Sequence, residues 1–493
     1  MATKRFLAVD LGAESGRVVV GTLTDGLLTT EEIHRFPNEP ARVRGTMYWD
    51  VLDLYNNILT GMREYVREYG QTAEGIGIDT WAVDFGLLAR DGSLLQNPVC
   101  YRDSRTDGMP EYVRSRVPEA ELYDRTGIYM LPIYTLCQMV SLRVNDSPLL
   151  ECADGFLMMP DLLAYFLTGR RGCERTNAIT TELYDPRRGC WHEEVFQTFD
   201  LPLEIMPDFV EPGTELGPLT QSVQEETGLG PVPVVAPCTH DTGSAVAAVP
   251  GEGDDWAFLS CGTWSILGSL CEEVATGEDA LEAGLCNEMT LGSFFLCQNI
   301  MGLWLLQQSR ASWEAAGNSY SYPELVEMAR EAPRAEAMVD PNDDGFMAPD
   351  DMPTAISNYC RRTGQPVPEG PAEMTRCIIE SLAFSYRYAL ERIGQILDRS
   401  YRTLHIVGGG SLNTLLCELT AGVTGLQVVA GPVEATVAGN VLVQAYGRGV
   451  IESPQQIRDI VRASFEPVHY EPAETGYWQE RYERYCEMLK RDE

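Results

Sequence analysis

The sequence contains almost no lysine. Only Lys4 and Lys490 are lysines among its 37 basic residues, and 73 acidic residues give the 493-residue chain a formal net charge of −36. Affinity for a nucleic-acid backbone or an anionic membrane depends on clustered basic residues, so this balance disfavours both as partners. Such a composition is typical of proteins adapted to high salt, which screens like-charge repulsion. A genomic preference for arginine codons explains it equally well.

The chain also lacks long hydrophobic runs. No stretch approaches the roughly 18 uninterrupted apolar residues of a membrane helix. Hydrophobic residues make up 44% and charged residues 22% of the chain, which is typical of soluble globular proteins. The apolar run near the start ends at Asp10, too early for the core of a signal peptide, so we expect no export.

Cysteine pairs with metal-binding spacing are missing as well. The 14 cysteines are scattered, and no Cys-x-x-Cys motif occurs. This excludes the usual zinc and dithiol redox signatures. We therefore expect a reduced, cytoplasmic protein.

Both common phosphate-binding signatures are absent, the G-x-x-x-x-G-K-[ST] loop and the spaced G-x-G-x-x-G. The chain has three other glycine-containing turns: LGAESG after the strand FLAVD, CGT near residue 262, and GGG at residues 408–410. Glycine-rich turns let backbone N–H groups converge on an anion. Taken alone, each turn is equally well explained as an ordinary tight connection.

The hydrophobic pattern predicts an α/β fold. FLAVD and RVVVGTL are predicted to form a hairpin with Asp10 at its mouth, and residues 51–69 have the period of an amphipathic helix. GIGIDTWAVDFGLLA is predicted as one strand. The segment around the triple glycine predicts a strand, a turn, a helix from about Asn413 and a further strand.

A polar, turn-rich break at residues 250–254 divides the chain into two segments that each begin with strand, turn and strand. Residues 258–263 weakly resemble residues 6–12 in this respect. We therefore predict two related domains. Residues 1–248 would form the first domain and residues 249–493 the second.

Two aspartates are candidates for phosphoryl-transfer chemistry. Asp10 has the carboxylate oxygens that Mg²⁺ prefers, although it could simply cap its turn. Asp241, in CTHDTG, could accept the proton of an attacking hydroxyl. An ordinary aspartate is a weak base, but in a loose transition state the proton leaves late, so orientation matters more than basicity. The alternative is that Asp241 is the N-cap of the helix GSAVAAV.

Several other side chains suit a polyol, which binds to aromatic faces and bidentate polar groups. Candidates of this type are Trp81, Asp84, Arg102, Asp103 and Arg105, and His240 could orient sugar oxygens. A surface ion-pair cluster, or a structural histidine, explains them equally well. Asn299 precedes an apolar helix and is either a ligand or its N-cap.

Nine motifs in order resemble the FGGY carbohydrate kinases of the actin-like ATPase superfamily over nearly the whole chain. They are AVDLGAESGRV, IGIDTWAVDF, YRDSRT, THDTGSAV, LSCGTWS, NIMGLWLLQ, DPNDDGF, HIVGGGSLN and AGPVEATVAGN. The resemblance implies an α/β fold in which two ribonuclease H-like domains flank a central nucleotide and sugar cleft. It also implies ATP and Mg²⁺ as cofactors.

The resemblance implies a role for each of these site residues. Asp241 would be the catalytic base, and Asp10 would hold the metal. ATP would be bound by Ala13, Glu14, Ser15, Gly16, Arg17, Thr263, Gln307 and Gly409. The sugar would be bound by Ala82, His240, Asp241, Thr242 and Asn299. Two positions depart from the family pattern: Ala82 replaces a glycine, and Glu14 replaces a small polar residue in the phosphate turn.

The implied reaction is phosphorylation of L-rhamnulose at the C1 hydroxyl by ATP. Another ketose or deoxyketose, such as L-fuculose or xylulose, is the alternative substrate. An ATP-driven conformational switch is the alternative from a different class, because chaperones and filament proteins share the nucleotide clamp. Partners would be the sugar and ATP, with no nucleic acid or membrane, and the chain would be a monomer or small homo-oligomer.

Overall fold

The structure, a computed structural model, describes residues 3–492. The chain folds into two compact units. Unit 1 comprises Met1–Pro250, Cys271–Phe295 and Ala435–Ser464, and unit 2 comprises Gly251–Leu270, Leu296–Glu434 and Phe465–Glu493. Each unit is therefore assembled from three separate stretches of sequence. The domain boundary between residues 248 and 249 stays a prediction.

The strands within residues 3–492 are short and distributed along the whole chain. They are β1 (Lys4–Leu11), β2 (Ser15–Thr24), β3 (Leu27–Pro37), β4 (Ala41–Val43), β5 (Thr46–Tyr48), β6 (Gly75–Thr80), β7 (Phe85–Leu88), β8 (Gly155–Met158), β9 (Cys173–Glu174), β10 (Tyr184–Asp185), β11 (Cys190–Trp191), β12 (Phe209–Val210), β13 (Glu215–Pro218), β14 (Pro233–Val235), β15 (Trp256–Cys261), β16 (Trp264–Cys271), β17 (Cys286–Thr290), β18 (Ser293–Met301), β19 (Thr403–Val407), β20 (Gln427–Ala430) and β21 (Val468–Tyr470).

The helices of the same residues range from single turns to one of 28 residues. They are α1 (Val51–Tyr69), α2 (Met109–Arg114), α3 (Glu119–Thr126), α4 (Thr135–Val144), α5 (Pro148–Cys152), α6 (Met159–Thr168), α7 (Arg175–Ala178), α8 (Glu193–Thr198), α9 (Gln221–Thr227), α10 (Asp241–Ala247), α11 (Glu278–Glu282), α12 (Trp304–Ala315), α13 (Tyr322–Glu331), α14 (Met352–Arg362), α15 (Gly370–Leu397), α16 (Thr414–Thr424), α17 (Ala435–Gly447), α18 (Pro454–Ser464) and α19 (Thr475–Asp492). None of the helices in the described part of the chain combines the length and apolarity needed to cross a bilayer.

Unit 1 is built on a six-stranded sheet with the order β13-β14-β6-β1-β2-β3. The apolar run of β1 is fully buried from Phe6 to Val9. β1 and β2 pair antiparallel, which confirms the first predicted hairpin, whereas β6 runs parallel to β1 and β14 runs parallel to β6. The carboxyl ends of β1, β6 and β14 therefore lie at one edge of the sheet, where ligands of open α/β sheets bind.

Two helices cover this sheet. α1 spans Val51–Tyr69 as predicted, begins at the N-cap Asp50, and packs on β2 and β3. α17 packs on β1 and β6 and approaches so closely that a Cβ on Gly77 would lie 2.5 Å from Asn440 Oδ1. Glycine in the middle of β6 therefore makes room for a polar helix face against the sheet.

The segment GIGIDTWAVDFGLLA forms two strands, so the prediction of a single strand was wrong. Residues 81–84 interrupt it, and Val83 has a left-handed φ of 69°, which a β-branched residue rarely adopts. The Asp84 carboxylate accepts hydrogen bonds from the indoles of Trp49 and Trp81 at 2.5 and 3.0 Å. These contacts turn the chain, and β7 pairs with β8 instead of extending the six-stranded sheet.

Unit 2 is built on a second mixed sheet, in which β18, β16, β15, β19, β20 and β21 follow one another in that order. β15 and β16 pair antiparallel, and β19 and β20 run parallel to β15. This confirms the second predicted hairpin. The strand, glycine turn and helix around residues 408–410 are also confirmed, and α16 begins after Asn413, whose side chain accepts a hydrogen bond from Leu416 N at 3.0 Å.

Candidate active site

Three aspartates lie where parallel strands of unit 1 end. Asp10 is the second-to-last residue of β1, and its register partner Asp79 is in β6. Asp241 follows β14 as the first residue of α10. The Thr80 N–H donates to Thr239 O at 2.9 Å, which joins the end of β6 to the segment that leads into α10. The strand order therefore brings three carboxyl groups together at one edge of the sheet.

Asp10 faces Arg17 across the β1–β2 hairpin. The two residues are register partners, and Asp10 Oδ2 accepts hydrogen bonds from Arg17 Nε and Nη2 at 2.8 and 2.7 Å. Charge-assisted pairs of this kind are geometrically specific. The hairpin thus fixes the Asp10 carboxylate and, at the same time, holds an arginine beside the turn that is predicted to bind phosphate.

Asp79 is fully buried. Its Oδ2 accepts a hydrogen bond from Asn440 Nδ2 at 2.5 Å, whereas its Oδ1 has no hydrogen-bond partner. Burial, and then the negative charge of Asp10, raise the pKa of Asp79 well above its usual range. A buried carboxylate oxygen without a partner beside a second carboxylate indicates a place for a cation or a proton.

These residues fit a hydrated divalent cation. Among residues 3–492, no three histidine, cysteine, aspartate or glutamate side chains converge as a ready ligand set. Mg²⁺ commonly keeps several waters and takes one or two carboxylates together with substrate phosphates, so a site with few protein ligands is compatible with its chemistry. The unpartnered Oδ1 of Asp79 beside Asp10 supplies oxygen of the right kind.

Asp241 combines partial exposure with a raised pKa. About a third of its side-chain surface, 32%, is accessible, and Oδ1 accepts a hydrogen bond from Thr242 N at 2.6 Å. Displacement of water by the surrounding protein raises the pKa of Asp241 to about 6; the charge of His240 lowers it and that of Asp10 raises it. The helix begins at Asp241 itself and has His240 as its N-cap, so the alternative that Asp241 is the N-cap was wrong.

His240 lies between two carboxylates. Its Nδ1 is 3.1 Å from Glu288 Oε2, and its Nε2 is 3.5 Å from Asp241 Oδ1. The His240 and Glu288 side chains are 7% and 4% exposed. Burial alone would lower the pKa of His240, but the negative charges of Glu288, Asp241 and Glu174 together outweigh it and raise the pKa.

Glu174 fixes the backbone just before His240. Its Oε2 accepts hydrogen bonds from the N–H and the hydroxyl of Thr239, both at 2.8 Å, and from the Thr176 hydroxyl at 2.5 Å. The same Thr176 hydroxyl accepts a hydrogen bond from His240 N at 3.2 Å. This role was not predictable from the sequence, because Glu174 and Thr239 are 65 positions apart and no local motif links them.

The first phosphate turn is short and tight. Gly12 N donates to Ser15 O at 2.9 Å, so Ala13 and Glu14 lie at the tip. The Glu14 side chain, which stands where the family has a small polar residue, is exposed, so its charge lies in solvent. Gly16 is buried, and a Cβ there would lie 2.4 Å from the Phe36 ring, so packing alone demands glycine at that position.

Ala82 lies in the irregular segment between β6 and β7, where its carbonyl accepts a hydrogen bond from Asp84 N at 2.9 Å. Asp84 itself is fully buried, and besides the two indoles it accepts hydrogen bonds from Gln138 Nε2 and Tyr101 N. All four bonds come from protein groups. The Asp84 carboxylate therefore holds the segment around Ala82 in place, and its binding of a polyol stays a prediction.

The second phosphate turn lies in unit 2 and is joined to a helix. Gly262 O accepts a hydrogen bond from Leu303 N at 3.0 Å, and Thr263 O accepts one from Trp304 N at 3.2 Å. Gln307 lies one turn further along α12, and its Oε1 is buried without a hydrogen-bond partner. A buried acceptor without a donor at a helix start indicates a ligand or ordered water that supplies one.

The triple glycine has one open position and two crowded ones. A Cβ on Gly408 or Gly410 would lie 3.0 Å from Cys261 O or 2.1 Å from Cys261 Sγ, respectively. Gly409 is exposed, and a Cβ there would meet no atom within 4 Å. Gly408 and Gly410 thus pack the turn against β15, whereas the backbone of Gly409 is open to a ligand.

Asn299 lies inside β18, in the part of that strand that belongs to unit 2. α12 begins at Trp304 with Leu303 as its N-cap, so the interpretation of Asn299 as an N-cap was wrong. Of the predicted site residues, unit 1 brings together Asp10, His240, Asp241 and Thr242. The predicted residues Thr263, Gln307, Gly409 and Asn299 all belong to unit 2.

The amino acid sequence matches both halves of one protein family. The N-terminal domain of the FGGY family of carbohydrate kinases matches residues 5–248, and its C-terminal domain matches residues 257–448. This chain belongs to the FGGY family of carbohydrate kinases. The resemblance and the enzyme class predicted from the sequence are thereby confirmed, and a sugar kinase is favoured over an ATP-driven switch.

Several relatives of this FGGY kinase are similar over nearly their full length. The rhamnulokinase of Bacteroides thetaiotaomicron is 42% identical over 97% of this chain and 98% of its own. Those of Pectobacterium carotovorum and Enterococcus faecalis are 39% and 37% identical, over 97% and 95% of this chain and 96% and 94% of their own.

Solved structures of other kinases share the fold. A ligand-bound xylulose kinase from Lactobacillus acidophilus has a TM-score of 0.81 at 14% identity, and it covers 99% of this FGGY kinase and 98% of its own chain. Plasmodium falciparum glycerol kinase with ADP has a TM-score of 0.78 at 15% identity with the same coverage. The predicted two-domain α/β kinase fold is thereby confirmed.

Proposed function

We propose that this FGGY kinase transfers the γ-phosphoryl group of ATP to the C1 hydroxyl of L-rhamnulose, giving L-rhamnulose 1-phosphate and ADP in L-rhamnose breakdown. The observation that carries the choice of substrate is the 42% identity to a rhamnulokinase over 97% of the chain. The geometry around Asp241 supports the chemistry.

Asp241 would accept the proton of the C1 hydroxyl. Its pKa of about 6 keeps most of the carboxylate ionised at neutral pH, and 32% of its side chain remains accessible to a substrate. In a loose phosphoryl-transfer transition state the proton leaves late, so a fixed, ionised carboxylate is sufficient. The hydrogen bond from Thr242 N holds Oδ1 and leaves Oδ2 for the hydroxyl.

The sugar would be oriented by Ala82, His240, Thr242 and Asn299. Ala82 would act through its backbone, because the side chain it carries in place of the family's glycine offers no polar group. The raised pKa of His240 makes its ring a donor to sugar oxygens. The Thr242 hydroxyl lies within 3.3 Å of Asp241 Oδ1, so a sugar hydroxyl near the base would be within its reach.

ATP would be bound by backbone groups of the two glycine-containing hairpins and by α12. In unit 1 the contacts would come from Ala13, Glu14, Ser15, Gly16 and Arg17, and in unit 2 from Thr263, Gln307 and Gly409. Asp10 would hold Mg²⁺ directly or through water, and the ion would supply neutralisation of the charge on the transferred phosphoryl group. The partnerless Oε1 of Gln307 suits the donor groups of a nucleotide.

The proposal also covers the localisation of the protein, its partners and the roles of its two domains. The acidic surface, with two lysines in 493 residues, suits an enzyme of the cytoplasm that binds neither nucleic acid nor membrane. We expect residues 1–248 and 249–493 to act as the sugar-side and adenosine-side domains, and the chain to be a monomer or small homo-oligomer.

A coupled ADP-release assay across L-rhamnulose, L-fuculose and xylulose tests the proposal. We expect kcat/KM for L-rhamnulose to exceed the others by at least about tenfold, which corresponds to roughly 1.4 kcal/mol of discrimination. An equal or greater value for another ketose would overturn the choice of substrate. ATP hydrolysis that no sugar stimulates would overturn the kinase reaction itself.

A further inference from the structure

Glu288 contacts the proposed catalytic loop from a distant part of the sequence. It lies in β17, a strand that packs against α10. Its side chain is 4% exposed, and Oε2 lies 3.1 Å from His240 Nδ1 in an ion-pair contact, while neither of these two atoms has a hydrogen-bond partner. Burying a carboxylate charge costs free energy unless the charge is paired. The contact with His240 supplies that pairing for Glu288.

The His240 ring connects Glu288 to the proposed base. Its second nitrogen, Nε2, is 3.5 Å from Asp241 Oδ1. A carboxylate at each nitrogen favours the doubly protonated ring, in which both nitrogens carry a hydrogen. His240 then presents a positive charge and an N–H group on the side where Asp241 and the sugar hydroxyl would meet.

We propose that Glu288 is a positioning residue that fixes the His240 ring and holds its positive charge beside Asp241. The proposal rests on the proposed role of Asp241 as proton acceptor. Glu288 does not touch the reacting atoms itself. It acts through His240, whose charge offsets the negative charge that Asp10 places near the base.

The charged groups around this loop set the direction of the effect. His240 faces Glu288 on β17, Asp241 on α10 and Glu174 on β9, and all three raise its pKa against the effect of burial. The pKa of Asp241 is raised by burial and by Asp10 on β1, and it is lowered by His240. Loss of the Glu288 charge therefore lowers the pKa of His240, and the loss of imidazolium charge in turn raises the pKa of Asp241.

The test is the pH profile of kcat/KM for Glu288→Gln, because that profile reports the ionisation of the free enzyme's essential groups. The variant keeps the size of the side chain and an acceptor for His240 Nδ1. We expect the acid limb, which Asp241 sets near pH 6 in the unaltered protein, to move upward by about one unit. Activity would fall about fivefold at pH 6, about twofold at pH 7 and hardly at all at pH 8.5.

Matched variants separate positioning from a purely structural role. Glu282→Gln removes the same charge from an exposed position on α11 and should leave the profile unchanged. Glu288→Asp retains the charge and should return the acid limb toward its original position. His240→Gln should move the limb as Glu288→Gln does, and combining the two should add nothing further.

The outcomes distinguish this inference from the proposed function. If the unaltered protein phosphorylates no ketose, the proposed function fails before any variant is compared. If it is active and Glu288→Gln keeps the original acid limb, the positioning role is wrong. If Glu288→Gln does not fold, judged by circular dichroism, the His240→Gln profile decides, and an unmoved acid limb there overturns the inference.

Discussion

Asp10 and Asp79 are register partners on the parallel strands β1 and β6, so their carboxylates leave the sheet at the same edge. Their surroundings differ sharply. Asp10 receives two hydrogen bonds from Arg17, whereas Asp79 is fully buried and receives one from Asn440. Burial, and then the charge of Asp10, raise the pKa of Asp79 well above its usual range, which favours the protonated form of Asp79.

Replacing Asp241 by asparagine tests the base. The amide cannot accept the hydroxyl proton, but it keeps the shape and can still accept the hydrogen bond from Thr242 N. We expect kcat to fall about 10³-fold while ATP affinity stays the same, because general-base groups typically contribute 10²- to 10⁴-fold. The measurements are a coupled assay and calorimetric titration with ATP. Asp254→Asn, an exposed neutralisation, is the control. Retention of more than a tenth of the activity would remove Asp241 from this role.

Asp10→Asn tests the metal site. The neutral amide loses its charge-assisted bonds to Arg17 and its affinity for a divalent cation. We expect the Mg²⁺ concentration for half-maximal rate to rise about tenfold or more, in line with the 10- to 100-fold effects of disturbing a metal site. Titration of activity with Mg²⁺ measures this, and Asp107→Asn, at an exposed position, is the control. An unchanged Mg²⁺ requirement would contradict the assignment.

The sequence predicted the elements that local patterns encode. Both hairpins, the helix α1 and the strand-glycine-helix segment were correct, because alternation, helical period and glycine turns are properties of consecutive residues. The break in GIGIDTWAVDFGLLA was not predictable in this way. It depends on Trp49 and on other groups that meet Asp84 only in the folded protein.

Of the site residues, too, only those that belong to local sequence patterns could be predicted. Asp10 and Asp241 were found because each follows a recognisable strand or motif. Glu174 and Glu288 were missed, because their partners Thr239 and His240 lie far away in the sequence and neither glutamate belongs to a glycine turn. Asn440 is the last residue of the motif AGPVEATVAGN, but only the packing of α17 on β6 shows that it donates a hydrogen bond to Asp79.

Two neighbouring glycines give a matched pair of variants. Gly410→Ala would place a Cβ 2.1 Å from Cys261 Sγ, so we expect it to destabilise unit 2 by about 1–3 kcal/mol. Gly409→Ala meets no protein atom within 4 Å and should leave thermal stability unchanged. If ATP approaches this backbone, the Gly409→Ala methyl group should weaken ATP affinity about tenfold. Normal ATP affinity with normal stability would exclude Gly409 from the nucleotide site.

Glu182 is a carboxyl group in the interior of unit 1. It is fully buried, it has a left-handed φ of 58°, and neither of its carboxylate oxygens has a hydrogen-bond partner. Burial, and then the charge of Glu119, raise the pKa of Glu182 well above its usual range, while Arg114 acts in the opposite direction. The folded protein therefore retains a proton on Glu182 at pH values where the unfolded chain has lost it.

Glu182→Gln should change how stability depends on pH. Because the native state binds one more proton than the unfolded state above the ordinary glutamate pKa of about 4.3, stability falls as pH rises from there toward the folded pKa. The neutral glutamine removes this fall, which is at most about 1.4 kcal/mol per pH unit for one group. Denaturant unfolding at pH 5, 6, 7 and 8 should therefore show the variant gaining stability relative to the unaltered protein as pH rises, until the pH passes the folded pKa of Glu182. Glu282→Gln, an exposed control, should run parallel to the unaltered protein. A constant difference between Glu182→Gln and the unaltered protein across this range would show that Glu182 carries no extra proton in the fold.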